Sequence, residues 1–191
     1  MNPRARYDHI AHLVRQTAGV PGDFAELGVW YGHTFVPLAL AARFSGRVAH
    51  AVDSFEGMPD PTDRDLEPDG KCLFPAGGLD AGGTGPVQAA VEPIAGWVRI
   101  WQGWIPDVFE GIHLEDGLAF VHVDLDHYAP TRAALPWAWE HLNPGGIIAV
   151  HDYVPGADNL ATAAIAEFIE QGYAPAGFQE ASGHVWFRRY G

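Results

Sequence analysis

FVHVDLDHY at residues 120–128 and IIAVHDY at residues 147–153 each begin as an apolar run and end in a polar cluster. Short continuous apolar runs of this kind are typical of buried strands in a parallel sheet. Ligands of such sheets bind beyond the carboxyl ends of the strands, which is where these polar clusters fall. The two stretches therefore predict an open parallel sheet with a binding site at its carboxyl ends.

The polar residues at these strand ends have the chemistry of a cation site. If the two strands are neighbours, four side chains converge, namely Asp124, Asp126, His151 and Asp152. Carboxylate oxygens and imidazole nitrogens are common ligands of divalent cations. Asp124 and Asp126 point to the same face if the strand persists through them. Taken singly, Asp126 can be explained as a helix cap, and His151 is better explained as a hydrogen-bonded core histidine. The set as a whole favours a site.

Apolar periodicity outward from these stretches predicts alternating strands and helices. Strands are predicted at 23–29, 47–53, 98–104, 118–126 and 146–150, and helices at 7–18, 33–44, 86–96, 131–142 and 158–171. Residues 143–146 are predicted as a turn, and 176–181 with 184–190 as a C-terminal hairpin. This order predicts one α/β domain over residues 1–191, with a Rossmann-like, mostly parallel seven-stranded sheet, a C-terminal antiparallel hairpin and helices on both faces. It is the layout of a class I methyltransferase.

Residues 57–86 interrupt this alternation. The segment is rich in glycine, proline and aspartate and has no apolar periodicity. Loops longer than about 15 residues inside compact domains are usually lids, binding loops or disordered. We expect a lid over the site, with surface disorder as the alternative, and refer to residues 57–86 as the lid segment.

Composition narrows the classes of partner. The chain has 191 residues, a net charge of −13 and 48% apolar residues, which suits one folded domain. The acidic excess argues against binding to nucleic acid or to an anionic membrane through bulk electrostatics. We expect a soluble, cytoplasmic protein, because the sequence has a single cysteine, no signal-peptide core and no apolar run long enough to cross a bilayer.

The first strand-to-helix turn, ELGVWYG at residues 26–32, carries a glycine pattern. The spacing is acid-x-Gly-x-x-x-Gly and differs from the dinucleotide pattern Gly-x-Gly-x-x-Gly, which makes NAD less favoured than an adenosyl ligand. Asp53 ends the second strand, where an acid commonly receives ribose hydroxyls. The simpler interpretations are a glycine-bearing turn beside a solvated Glu26 and a helix cap at Asp53.

Six segments together resemble the macrocin O-methyltransferase family. They are ELGVWYG (26–32), DSFEGMP (53–59), GWIPD (103–107), VDLDHYAPT (123–131), PGG (144–146) and HDY (151–153). Members are S-adenosylmethionine-dependent and metal-dependent enzymes, and characterised ones methylate sugar hydroxyls of macrolides and other antibiotics. The resemblance covers roughly residues 23–155 and implies a natural-product hydroxyl as the small-molecule acceptor.

The resemblance also implies site residues. The cofactor-binding set is Glu26, Gly28, Gly32, Asp53, Ser54, Gly103, Trp104 and Asp124. Mg²⁺ is expected at Asp124, His151 and Asp152, although the family usually has Asp where this chain has His151. The segment before the first strand is also shorter than the N-terminal extension usual in the family. The expected catalytic residues are Asp124, Asp126 and His151, with Asp126 or His151 accepting the hydroxyl proton.

Three other functions remain open from the sequence. A metal-independent methyltransferase would use His151 as a plain general base. A metal-dependent hydrolase would use the histidine and aspartate cluster and leave Glu26 and Asp53 without a role. A non-catalytic binding module would keep the fold only. The oligomeric state is also open, with a homo-oligomer among the options.

Overall fold

Seven strands form a single sheet. The computed structural model describes residues 3–173, 179–181 and 183–191, the side chains of 3–6 and 179–181 excepted. The strands are β1 Asp23–Leu27, β2 Ala49–Asp53, β3 Val98–Gln102, β4 Leu118–Val123, β5 Leu142–Val150, β6 Gln179–Ala181 and β7 His184–Arg188. Their order is β3-β2-β1-β4-β5-β7-β6, with β1 to β5 parallel and β6 and β7 antiparallel. This confirms the predicted fold class and strand number.

Helices cover both faces of the sheet. They are α1 Pro3–Gln16, α2 Phe35–Phe44, α3 Gly85–Val91, α4 Tyr128–His141 and α5 Leu160–Phe168. One core contains Leu13, Phe35 and Val87 of the first three helices, packed against β1 and β4. The other contains Leu135 of α4 and Ile165 of α5 on the opposite face. No described helix is long and apolar enough to cross a bilayer.

The strand order reverses between β1 and β4. From β1 the chain adds β2 and β3 on one side, and then returns to place β4 and β5 on the other. Every residue of β4 is buried, as expected for a central parallel strand that is covered on both faces. In open α/β sheets the crevice at such a reversal is where ligands bind. The polar clusters that follow β4 and β5 both lie at this end of the sheet.

Two predicted boundaries at the site are wrong. β4 ends at Val123 rather than at residue 126, because the backbone turns sharply and Asp126 adopts a positive φ of 56°. Residues 143–146 belong to β5 rather than to a turn. Their backbone is paired with the C-terminal tail, since Gly145 N–H donates to the Arg189 carbonyl and Arg189 N–H donates to the Gly146 carbonyl.

Other elements differ in length from their predictions. The helix predicted at 86–96 is divided into α3 and a 3₁₀ segment at Glu92–Trp97. The helix predicted at 158–171 is shorter, because α5 gives way to a π-type turn at Ile169–Tyr173. Residues 176–178 and 182 of the predicted hairpin lie outside the described residues. Its two strands, β6 and β7, are present.

The lid segment is folded back on itself rather than extended. It contains a 3₁₀ turn at Asp63–Asp65 and an antiparallel bridge between Leu66 and Cys72. Met58 and the Gly77–Gly78 pair exchange two backbone hydrogen bonds that close the segment near its base. The absence of periodicity in the sequence agrees with this irregular backbone.

Candidate active site

A cavity of about 570 Å³ opens at the carboxyl ends of the strands. Its size lies within the range of about 300–1,000 Å³ that is usual for small-molecule sites. The predicted site residues in its wall are Glu26, Gly28, Asp53, Ser54, Gly103, Trp104, Asp124, Asp126 and His151. Gly32 and Asp152 are not part of the wall. The fold therefore brings nearly all of the predicted side chains to one cavity.

His151 lies between two carboxylates. Its Nδ1 atom is 3.0 Å from Asp124 Oδ1 and 2.7 Å from Asp152 Oδ1. One ligand atom from each of these three residues lies within 4.8 Å of the other two, which is the spacing of a metal cluster. The parallel pairing of β4 and β5 produces this geometry, because it puts the ends of the two strands side by side.

Asp126 completes the cluster from the turn after β4. Burial, the negative charges of Asp152 and Asp124, and a side-chain hydrogen bond with Asp152 together raise the pKa of Asp126 to about 8, against a smaller opposing effect of His151. In the absence of a cation Asp126 therefore carries a proton near neutral pH. The turn brings Asp126 here, whereas the sequence predicted that a continuing strand would do so.

His151 is held in its protonated form. Burial lowers its pKa, but hydrogen bonds and charge attraction from Asp124 and Asp152 outweigh burial and raise the pKa to about 9. The imidazolium neutralises part of the carboxylate charge in the cluster. A histidine in this state donates hydrogen bonds and does not serve as a base near neutral pH.

The cluster fits a divalent cation. The high pKa of Asp126 arises in part from nearby negative charge that the protein leaves uncompensated, and a cation would offset it. The available donors are carboxylate oxygens plus one imidazole, a set that Mg²⁺ and softer divalent ions accept. Within the described residues a second group with metal-ligand spacing is Glu26, His122 and Asp124. Asp124 belongs to both groups.

The glycine turn after β1 is shaped by a close strand contact. Gly28 has a φ of +88°, and a Cβ atom there would lie 1.9 Å from the Asp124 carbonyl oxygen. Only glycine tolerates both conditions. Sequence reasoning assigned Gly28 to a ligand contact, and the structure adds that β4 itself excludes any larger residue.

Asp53 joins the ends of β1 and β2. Its Oδ2 atom accepts the backbone N–H groups of Val29 and Trp30 at 2.6 and 2.8 Å, and Oδ1 accepts that of Phe55 at 2.6 Å. These bonds take three of the roughly four acceptor positions of a carboxylate. Ser54 Oγ also lies 3.5 Å from Oδ1, so Asp53 holds the glycine turn in place with both carboxylate oxygens engaged.

Glu26 belongs to a buried polar chain across the sheet. Its Oε1 atom is 2.6 Å from Nδ1 of His122, and Nε2 of His122 is 3.3 Å from Nε2 of His184. The ring of His184 lies 4.8 Å from that of His151 between centroids. His122 and His184 approach each other across β5, where the strand presents the small residue Ala149 in register with His122. This row of buried polar side chains connects the glycine turn to the carboxylate cluster, by which we mean Asp124, Asp126, His151 and Asp152.

This cavity lies in a region that matches a known family. Residues 25–153 match the family described as a methyltransferase domain. The chain belongs to this methyltransferase-domain family. Curated relatives include 8-demethyl-8-(2,3-dimethoxy-alpha-L-rhamnosyl)-tetracenomycin-C 4'-O-methyltransferase of Streptomyces olivaceus, with 32% identity over 162 residues, and mycinamicin III 3''-O-methyltransferase of Micromonospora griseorubida, with 29% identity over 160 residues.

The chain spans about three-fifths of the length of these relatives. Each match covers 78% of this chain, but only 60% of the first relative and 62% of the second. Among solved structures, the O-methyltransferase NovP superposes with a TM-score of 0.80 at 24% identity, covering 98% of this chain and 80% of that one. The calicheamicin methyltransferase CalS11 superposes with a TM-score of 0.76 at 21% identity, covering 96% and 78%. At these identities the superpositions establish the fold.

Two tryptophans line the cavity of the methyltransferase domain. Trp30 and Trp104 are each 39% exposed, which is unusual for packing residues of this size. Trp30 also has a positive φ of 50° in the turn that Asp53 holds. Partly exposed aromatic faces at a cavity mouth offer stacking surfaces for a flat ligand.

The other predicted cofactor residues have conformational roles that the structure makes visible. Ser54 Oγ donates to the Gly57 carbonyl at 3.0 Å and shapes the start of the lid segment. Gly32 has a φ of +82° at the entry to α2, away from the cavity wall. Gly103 lies beside Val108, whose Cβ would be 3.0 Å from an added Cβ.

Sequence reasoning missed several residues of the wall. His127 is fully buried, its Nε2 donates to the Phe74 carbonyl at 2.8 Å, and its Nδ1 has no hydrogen-bond partner among the described residues. The lid segment contributes Met58, Asp60, Asp65 and further residues. The position of His127 directly after Asp126 was a usable signal, whereas nothing local in the sequence distinguishes Asp65 from the other aspartates of the lid segment.

Proposed function

We propose that this chain transfers the methyl group of S-adenosylmethionine to a hydroxyl oxygen of a small-molecule acceptor, assisted by a divalent cation such as Mg²⁺. The observation that carries the proposal is that one cavity wall contains residues of the glycine turn after β1 together with Asp124, Asp126 and His151 at the ends of β4 and β5. The names of the curated relatives, which are O-methyltransferases of sugar-bearing or antibiotic molecules, support a sugar or natural-product hydroxyl as the acceptor.

The cofactor would supply an electrophilic methyl group on a sulfonium sulfur. The task of the protein is then to align the acceptor oxygen with that methyl group and to remove the hydroxyl proton. We assign Gly28, Asp53 and Trp104 to the cofactor end of the cavity, since they line it at the carboxyl ends of β1, β2 and β3.

Asp124, Asp152 and His151 would hold the cation. A cation bound there would stabilise the negative charge that develops on the acceptor oxygen as its proton leaves. Near neutral pH the His151 side chain already places positive charge between the two carboxylates. Cation binding at these residues therefore requires loss or displacement of the His151 proton.

Asp126 is our candidate for the general base. A group that accepts a proton during catalysis works best when its pKa lies near the working pH. The pKa of about 8 for Asp126 lies nearer neutrality than the pKa of about 9 for His151, and a cation held beside Asp126 would lower it further, so that the ionised carboxylate accepts the hydroxyl proton. We assign His151 to the cation and to the orientation of Asp124 and Asp152.

The lid segment would exclude water from the reacting atoms. It contributes Gly57, Met58, Pro59 and Leu79 to the cavity wall. Removing water strengthens the electrostatic interactions in the cavity and prevents competing hydrolysis.

Calorimetric titration with S-adenosylmethionine and with its demethylated product tests the cofactor assignment. We expect saturable binding of both, and a methyl-transfer assay with glycosylated hydroxyl acceptors should then be abolished by chelation and restored by Mg²⁺. Absence of binding of either compound at millimolar concentration would contradict the proposed function.

A metal-independent methyltransferase is the second candidate. It is favoured by one observation, the position of protonated His151 within 3.0 Å of both Asp124 and Asp152, because this arrangement neutralises carboxylate charge without a cation. Activity that survives exhaustive chelation would select this alternative.

A further inference from the structure

We propose that Asp65 of the lid segment is a positioning residue that holds the Asp124–Asp126 turn, so that closure of the lid segment and assembly of the carboxylate cluster are one event. The inference rests on the proposed function in one respect only, namely what the carboxylate cluster is used for. The link between Asp65 and the turn is carried by contacts that do not depend on any ligand.

Asp65 caps a helix to which it does not belong. Its side chain is almost fully buried, with 1% of the residue exposed. Oδ1 accepts the backbone N–H of Tyr128, the first residue of α4, at 2.6 Å, although the two residues are 63 positions apart. Oδ2 accepts the backbone N–H and the hydroxyl of Thr62 at 2.7 and 2.6 Å. His127, which precedes α4, makes no capping bond with its side chain. The first amide of α4 is therefore satisfied from the lid segment.

The turn between β4 and α4 needs such support. Asp126 has a φ of 56° in the left-handed region, and His127 N–H donates to the Leu125 carbonyl at 2.5 Å in a very tight turn. A non-glycine residue in this conformation persists only where the surrounding structure holds it. At the β4 end, Asp124 N–H donates to the Leu27 carbonyl at 2.8 Å. At the α4 end, the corresponding bond is the one to Asp65.

Further contacts join the lid segment to α4 and α5. Arg64 contacts Glu167 Oε1 at 3.1 Å and the Asp158 carbonyl at 3.1 Å. Tyr128 donates its hydroxyl to the same Glu167 oxygen at 2.7 Å. These bonds surround the Asp65 contact and keep it aligned with the start of α4.

The consequence concerns entry into the cavity. Since the lid segment forms part of the wall, displacing it to admit a ligand would break the bond between Asp65 and Tyr128. The turn would then lose its support at the α4 end, and Asp126 would leave its position beside Asp124 and Asp152. A cation or acceptor that needs the assembled cluster would bind productively only to the closed form.

Three variants separate this role from general destabilisation. Asp65→Ala removes the cap. Asp65→Asn keeps an oxygen that accepts from Tyr128 N–H and loses the acceptor for Thr62 N–H. Asp63→Ala is the matched control, because Asp63 is an exposed carboxylate in the same 3₁₀ turn. Circular dichroism and thermal unfolding would first show that each variant is folded.

Hydrogen–deuterium exchange of the ligand-free proteins is the primary measurement. We expect peptides covering residues 124–131 to exchange about fivefold faster in Asp65→Ala, since a helix cap that is worth about 1 kcal/mol restrains the first amides. Asp65→Asn should restore most of the protection, and Asp63→Ala should match the wild type. Equal exchange in Asp65→Ala and the wild type would overturn the inference.

Affinity for Mn²⁺, measured by electron paramagnetic resonance, is the second readout. We expect Asp65→Ala to bind Mn²⁺ about tenfold more weakly than the wild type, as is usual when groups that orient metal ligands are lost, with Asp65→Asn close to the wild type. Affinity for S-adenosylmethionine measured without cation should change less. A wild-type protein that fails to bind Mn²⁺ would contradict the cation in the proposed function, while the exchange data would still decide the role of Asp65.

Discussion

Asp126 and His151 determine the protonation of the site. Both have raised pKa values, at about 8 and about 9, so both groups carry a proton near neutral pH in the absence of a cation. The sequence suggested that His151 replaces a carboxylate ligand and brings a built-in base. In the absence of a cation, the raised pKa of His151 adds a positive charge between Asp124 and Asp152.

Replacement of Asp126 by Asn should change how stability depends on pH. The raised pKa means that Asp126 favours the folded state below its unfolded pKa near 3.8, and that this contribution is lost as the pH rises to about 8. Asp126→Asn stays neutral, so at pH 9 its free energy of unfolding should exceed that of the wild type by on the order of 2 kcal/mol, with neighbours sharing the penalty.

Urea unfolding at pH 5 and at pH 9 measures this effect. Asp116→Asn, at an exposed position outside the cavity wall, provides a control for the loss of one negative charge. A constant difference between Asp126→Asn and the wild type across this range would contradict the raised pKa.

His151→Asp tests the histidine directly. The substitution replaces the positively charged imidazole with a carboxylate, which adds an oxygen ligand beside Asp124 and Asp152 in the candidate metal site. Because affinity for hard cations rises with the number of charged oxygen ligands, Mg²⁺ should bind about tenfold more tightly or better. Calorimetry against His151→Asn, which removes the proton without adding charge, separates the two effects. Weaker binding in His151→Asp would indicate that the imidazole is itself a required ligand.

At the scale of elements, β1, β4 and β7 are joined by the chain of Glu26, His122 and His184. The three residues are 1%, 0% and 0% exposed. Trp101 and Asp23 make a comparable pair of contacts to His50 near the opposite ends of the strands. Buried polar groups of this kind specify which strands pair, provided that their hydrogen bonds are made.

Glu26→Ala should therefore be strongly destabilising. It removes the carboxylate that lies 2.6 Å from His122 and leaves that histidine buried in a mainly apolar layer. Leaving one partner of a buried hydrogen bond without the other typically costs about 1–3 kcal/mol, and more where the remaining group is charged. Glu26→Gln, which retains an acceptor of similar shape, should cost less, and chemical denaturation of both variants would measure the difference. Equal losses in the two variants would indicate a packing effect alone.

The start of α4 illustrates how elements are defined by distant contacts. Sequence periodicity began the helix at residue 131, but the helix begins at Tyr128 because Asp65 supplies the missing acceptor for its first amide. The end of β4 has a similar explanation. Gly28 allows the Asp124 carbonyl to approach the turn after β1, and the chain then bends instead of extending the strand.

At the scale of the whole molecule, cation binding should be linked to proton release. A cation bound at Asp124, Asp152 and His151 would compete with the protons that Asp126 and His151 carry because of their raised pKa values. Mg²⁺ affinity should therefore rise between pH 6.5 and pH 9, and up to about two protons should be released per ion. Calorimetric titration in buffers of different ionisation enthalpy counts these protons. An affinity that does not change with pH would place the ion elsewhere.

The overall architecture and the place of the site were predictable. The alternation of apolar runs, the glycine turn at residues 26–32 and the polar ends of two strands predicted the sheet, its helices and the end of the sheet at which the cavity opens. These features are local in sequence, because strand and helix periods repeat every two and 3.6 residues and because the carboxyl ends of parallel strands must coincide.

Only the tertiary structure decided how the site residues are used. Asp53 is engaged by three backbone amides, Glu26 by a histidine 96 positions away, and the start of α4 by an aspartate 63 positions away. The protonation of Asp126 and His151 follows from burial and from charges on two different strand ends. Such partners are far apart in the chain, and electrostatic and hydrogen-bonding energies depend on distance in space. The sequence alone therefore determined which groups reach the site, while the folded arrangement determined which of them are available to a ligand.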